Sequence, residues 1–150
     1  MSNRPWDPSL SLPTRRLAGL VGRTPLLEIA VERDGRRQRV FAKYESMNFS
    51  GSIKDRMALA ILERGYAAGT LRPGDEIVEA SSGNTAIAFA AMGRALGHPV
   101  TIFMPDWMSR ERVEILGAFG VQRIGVSAEQ GGFVASVSLA HEYARSRPNS

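Results

Sequence analysis

After Tyr44 the chain alternates short apolar runs with stretches of helical spacing, and that alternation restricts the fold more than any other feature. Ile53 to Ala68 has the spacing of a helix, with Ile53, Met57, Ala60, Ile61 and Arg64 tracing one stripe and its flank. Gly69 and then Pro73-Gly74 end it. Glu76–Ala80 reads as a strand, and Thr85–Leu96 as a helix apolar on nearly every side and therefore buried. Val100–Met104 is a strand apolar on both faces, and Ser109 is the expected N-cap of a helix through Phe119. Val121–Val126 is the next strand, and Gly132–Ala144 a last helix with Phe133, Val137, Ala140 and Ala144 on one face. The final residues, Ser146 to Ser150, run out in polar coil where another strand would be due. Strand and helix in this rhythm specify a parallel sheet covered on both faces and joined by right-handed crossovers. The expected class is α/β, a small Rossmann-like αβα domain over residues 46–150.

The chain before Tyr44 follows different rules. Leu26–Glu32 and Gln38–Tyr44 alternate as strands around Asp34-Gly35, a dipeptide suited to a tight hairpin turn. Met1–Pro13 carries three prolines without any period and reads as an arm that needs a partner surface. Residues 1–45 are therefore expected to form an arm and hairpin separate from the domain that follows. Four arginines crowd the turn (Arg33, Arg36, Arg37 and Arg39), and a solvated hairpin tip explains them better than a nucleic-acid patch.

Composition narrows the chemistry. The chain is 43% hydrophobic and 23% charged, with a net charge of +4, as expected of a globular domain. Arg94 interrupts the longest apolar run, so no membrane span is expected, and residues 1–12 lack the apolar region of a secretory signal. A cytoplasmic location is the expectation. The absence of cysteine removes thiol nucleophiles, disulfides and Cys-ligated metals. His98 and His141 stand far apart without carboxylate spacing, so neither a metal site nor a histidine-based triad is expected. The chain contains neither G-x-G-x-x-G nor a Walker loop. Of 19 basic residues only Lys43 and Lys54 are lysines, the type whose amine loses its proton when its surroundings push.

In open parallel sheets, ligands bind beyond the carboxyl ends of the strands. Three loops qualify: Glu45–Ser52, Ala80–Thr85 and Pro105–Ser109. Ser81-Ser82-Gly83-Asn84-Thr85 sets three hydroxyls, an amide and a glycine at a helix start, where free N–H groups and the dipole favour an anion such as a carboxylate. Simple helix capping by the same side chains is the competing explanation. Lys54 falls in the first turn of the preceding helix, where the dipole disfavours a cation and so lowers the expected amine pKa. A lysine attacking a carbonyl needs that shift. Asp55 suits the same dipole and is expected to pair with Arg56. Glu79 ends a strand, where it is expected to cap backbone, and Trp107 and Met108 are expected in a core or an interface.

Five motifs occur in order: Thr24-Pro25-Leu26-Leu27; Lys43-Tyr44-Glu45; Gly51-Ser52-Ile53-Lys54-Asp55-Arg56; Glu79-Ala80-Ser81-Ser82-Gly83-Asn84-Thr85; and Met104-Pro105-Asp106-Trp107-Met108-Ser109. Together they resemble the cysteine synthase family of fold type II pyridoxal-phosphate enzymes, and Val126–Gly132 looks closest to the B-type cysteine synthases. The resemblance covers roughly Leu20 to Ala144. It implies pyridoxal 5'-phosphate as cofactor, Lys54 as the lysine that binds it covalently, and Asn84 as the donor to its ring oxygen. It further implies that Ser81, Ser82, Gly83 and Thr85 grip the α-carboxylate of an amino-acid substrate. The implied reaction is β-replacement, making L-cysteine from an O-acylated serine and a sulfur donor, in a homodimer when full length. Cystathionine β-synthase and serine/threonine dehydratases share these motifs, and an inactive truncated module is the non-enzymatic alternative. Phe49 stands where the family usually has proline, and Ala86 where it usually has glycine. The resemblance also implies a second α/β domain that would own the hairpin and carry the cofactor's phosphate loop.

Overall fold

The computed structural model describes residues 12–147. Its elements run α1 (Leu12–Ala18), β1 (Leu26–Arg33), β2 (Arg36–Lys43), α2 (Lys54–Ala68), β3 (Ile77–Ala80), α3 (Asn84–Ala95), β4 (Val100–Pro105), α4 (Arg110–Ala118), β5 (Gln122–Val126) and α5 (Gly132–Arg145). A 3-10 turn, Glu45–Met47, links β2 to the segment before α2. Two separate sheets result: an antiparallel pair, β1-β2, and a parallel sheet of order β3-β4-β5.

The parallel sheet is the expected α/β unit. Strand β4 lies at its centre, with all six residues buried. Its side chains alternate between two layers. Val100, Ile102 and Met104 join Leu59 and Leu62 of α2, Phe89 and Met92 of α3, and Leu116 of α4 in the larger core. Phe103 faces the other way, with Val126 and Ala140 under α5. Helices α2, α3 and α4 thus cover one face and α5 the other, the arrangement that a strand apolar on both sides requires. Helix α3 sits especially close: a Cβ placed on Gly93 would lie 2.6 Å from Val100 Cγ2 and 2.9 Å from Ile77 Cδ1. The helix is apolar all round because it is enclosed by sheet and neighbouring helices.

The hairpin is local and wet. Its strands pair from Leu26↔Lys43 to Arg33↔Arg36 around a two-residue turn. Asp34 and Gly35 have φ of 52° and 71°, the left-handed pair that such a turn needs. Every residue of β1 is exposed, as is every residue of β2 except half-buried Ala42. The register places Leu27, Ile29, Val31, Val40 and Ala42 on one face and the pairs Glu28–Arg39 and Glu32–Arg37 on the other.

Three features add to the expected plan, each with a physical cause. Helix α1 begins inside the stretch read as an arm, with Pro13 in its first turn, where its missing N–H costs nothing. Thr14 and Leu17 of that helix are buried. The rest of the arm, Met1–Ser11, lies outside the described residues, as do the last residues of the expected C-terminal coil. His98, in the connection between α3 and β4, is fully buried. Its Nδ1 donates to the Asp75 carbonyl at 2.7 Å, and its Nε2 is hydrogen-bonded to the Tyr66 hydroxyl. Burial in turn raises the Tyr66 pKa. Ser109 does occupy the N-cap of α4, but it serves through its carbonyl, which accepts from Arg112 and Val113 N–H, and not through its side chain.

Candidate active site

The carboxyl edge of the parallel sheet gathers the residues singled out above. Helix α3 follows β3 directly, so its first residue, Asn84, stands at that edge. Helix α2 packs beside α3. Tyr66 near the end of α2 meets His98 just beyond the end of α3, with ring centroids 5.7 Å apart. Two packed helices with their C-terminal ends together run parallel, so Lys54, the first residue of α2, starts at the same edge as Asn84. Both residues are exposed. Each helix N-terminus offers free N–H groups and positive potential to a ligand.

The loop before α3 is not spent on capping. Gly83 occupies the N-cap, and the helix start takes no side-chain cap bond. Ser81, Ser82 and Thr85 are half-buried, and the Ser81 hydroxyl accepts only a long 3.4 Å bond from Gly83 N–H. Hydroxyls and amides at a helix start without a cap are suited to an anionic partner. Glu79, two residues earlier, is half-buried beside a cavity of about 250 Å³ lined by Val78, Ala80, Val137, Ala140, His141 and Ala144. Burial raises its carboxyl pKa.

The segment before α2 is tied more tightly than its sequence indicates. Asp55 is fully buried and does not pair with Arg56 as expected. It turns back along the chain, accepting the Ser50 N–H at 2.5 Å and the Ser50 hydroxyl. A carboxylate on the second helical residue reaches the preceding loop more readily than the next side chain, which leaves from a different face. Arg56 instead forks onto Glu45, with Nε to Oε2 and Nη2 to Oε1 both at 2.8 Å. Glu45 also accepts from Thr24 Oγ1 at 2.7 Å and Asn48 Nδ2 at 2.8 Å, and Asn48 Oδ1 accepts Gly22 N–H at 2.7 Å. The Arg56 fork, and after it the Thr24 hydroxyl, hold the Glu45 pKa down to about 2. The backbone N–H of Lys54 donates to Ser52 Oγ at 3.2 Å. The other lysine, Lys43, reaches back to the Thr24 carbonyl.

Glu45, Arg56, Thr24 and Asn48 therefore brace the segment that carries Lys54, and in the sequence the first three stand in the quoted motifs and Asn48 in the Glu45–Ser52 loop. The signal that could have found them is Glu45 and Arg56 as opposite charges flanking the Lys54 loop. In the third loop, Trp107 is more than half exposed, and its ring covers Gly132 at the start of α5. Among the described residues no group of three His, Asp or Glu is placed to hold a metal ion, and no helix is long and apolar enough to cross a membrane.

Comparison with known proteins bears on the family and the fold. Residues 17–150 match the family model for pyridoxal-phosphate dependent enzymes. The chain is 41% identical over 122 residues to the N-(2-amino-2-carboxyethyl)-L-glutamate synthase of Ralstonia nicotianae, covering 80% of this chain and 36% of that one. It is 39% identical over 111 residues to cysteine synthase B of Escherichia coli, covering 74% and 37%. The crystal structure of a hydrogen sulfide-producing enzyme from Fusobacterium nucleatum superposes with a TM-score of 0.87 at 48% identity, covering 91% of this chain and 41% of that one. The chain thus spans roughly two fifths of the length of these relatives. The motif series, the paired sheets and these matches agree, and the chain belongs to the pyridoxal-phosphate dependent enzyme family, among relatives of cysteine synthase type.

Proposed function

We propose that this chain is the N-terminal part of a pyridoxal-phosphate-dependent enzyme that makes L-cysteine from an O-acylated serine and a sulfur donor by β-replacement. The arrangement that supports this reading is Lys54 in the first turn of α2 and the Ser81–Thr85 loop, free of side-chain capping, at the start of α3, the two helices packed together. The residues present fit the cofactor: an exposed amine to hold it covalently and an exposed amide, Asn84, to donate to its ring oxygen. When bound, pyridoxal phosphate supplies an electron sink for the substrate carbons. Lys54 takes and returns the substrate's α-proton at its Nζ. Ser81, Ser82, Gly83 and Thr85 hold the substrate α-carboxylate with hydroxyls and N–H groups, orienting the bond that breaks. Residues 46–150 form the small domain of the enzyme. Residues 1–45 belong to a second, larger domain of a cytoplasmic homodimer.

A second reading keeps the residues and changes the nucleophile. The relative from Ralstonia nicotianae is named for a product that joins an aminocarboxyethyl group to glutamate, so an amine in place of sulfur is the alternative.

The test is adduct mapping. Incubation with pyridoxal phosphate, borohydride reduction and peptide mass analysis are expected to place the adduct on Lys54 and to show none in Lys54→Ala. Equal labelling of Lys43 and Lys54, or no labelling of folded protein, would overturn the reading.

A further inference from the structure

We infer that Glu45 and Arg56 are positioning residues: a single carboxylate holds both ends of the segment that carries Lys54. This rests on the reading of Lys54 given above and extends it to residues that touch neither cofactor nor substrate. Glu45 grips Asn48 at one end, with Asn48 Nδ2 donating to both its Oε2 and its backbone carbonyl at 2.8 Å. It grips Arg56 at the other end through two 2.8 Å bonds. Inside that outer closure lies an inner one, Ser50 with buried Asp55. Lys54 lies within both closures.

The anchor is itself anchored. Thr24 Oγ1 donates to Glu45, Arg56 Nη2 reaches Thr24 Oγ1 at 3.3 Å, and Gly22 N–H donates to Asn48. Thr24 and Asn48 are nearly inaccessible. The hairpin root, the 3-10 turn and the first turn of α2 therefore share one hydrogen-bonded carboxylate. Planar fork-to-carboxylate pairing fixes direction as well as distance, and lysine in place of Arg56 would keep the charge while losing that direction. The network constrains where the first turn of α2 begins, and with it the origin of the Lys54 side chain. Small displacements of a reacting group cost orders of magnitude in rate.

Arg56→Lys and Glu45→Gln test this with two readouts. Amide hydrogen exchange over residues 48–55, measured without cofactor, is expected to quicken about tenfold in both variants, as for the loss of one charge-assisted bond. Exchange in β4 stays at the wild-type rate. The rate of borohydride-trapped pyridoxal phosphate labelling at Lys54 falls by about tenfold or more in the same variants. In the wild type, protection of the loop relative to Glu45→Gln persists from pH 7 to pH 4, where an ordinary glutamate is already largely titrated. Loop exchange and labelling within twofold of wild type in Arg56→Lys would overturn the proposal, and so would a quickening that includes β4, which marks general destabilisation. Absence of the Lys54 adduct in the wild type defeats the functional reading instead, and loop exchange still decides the clamp.

Discussion

The hairpin and the parallel sheet draw on different sources of order. In β1 and β2 the register follows from a two-residue turn and from pairs directly opposite each other, with almost every side chain in water. In β4 all six residues are enclosed, and the strand is set by what packs above and below it. A structure made by neighbours in sequence tolerates exposure, whereas one made by distant segments depends on exclusion of water. The first is sensitive to backbone chemistry at two positions and the second to volume anywhere in its core.

Substitutions in the two regions sharpen that contrast. Ile102→Ala, at a fully buried position of β4, is expected to cost about 2–5 kcal/mol of unfolding free energy in a denaturant titration. Gly93→Ala forces a methyl against Val100 and Ile77 and costs about 1–3 kcal/mol in the same measurement. Gly35→Ala places a side chain at φ 71° and costs ~1 kcal/mol, read as faster amide exchange confined to β1 and β2. Arg37→Ala removes an exposed pair with Glu32 and shifts stability by under about 1 kcal/mol, an effect that salt diminishes. If Gly35→Ala loosened β4 as well, or if Ile102→Ala spared it, the division into local and enclosed order would be wrong.

Legibility in the sequence followed the same line. The Asp34-Gly35 turn and the βα rhythm are short-range signals, and each element they indicate forms within two residues of its expected limits. Lys54 and Asn84 were recognisable as helix-start residues because a helix start is itself a local event. Asp55 and Arg56 are adjacent in sequence but turn to different partners, Ser50 and Glu45. The burial of His98 is not legible in the sequence because both its ring partners, Tyr66 and Asp75, are more than twenty positions away. The Glu45 network eluded sequence reasoning for the same reason: it joins Gly22, Thr24, Asn48 and Arg56 with no period to announce it. Helix α1 is hidden in the sequence because the prolines of Met1–Pro13 read as breakers, although Pro13 falls where a helix accepts it.

The exposed hairpin also bears on how this chain melts. Two eight-residue strands that are already hydrated in the native state release little new apolar surface on unfolding. Heat-capacity increments and urea slopes scale with newly wetted area. Calorimetry on this chain would therefore weigh the parallel unit almost alone, and both quantities would fall below the norm for a polypeptide of its length.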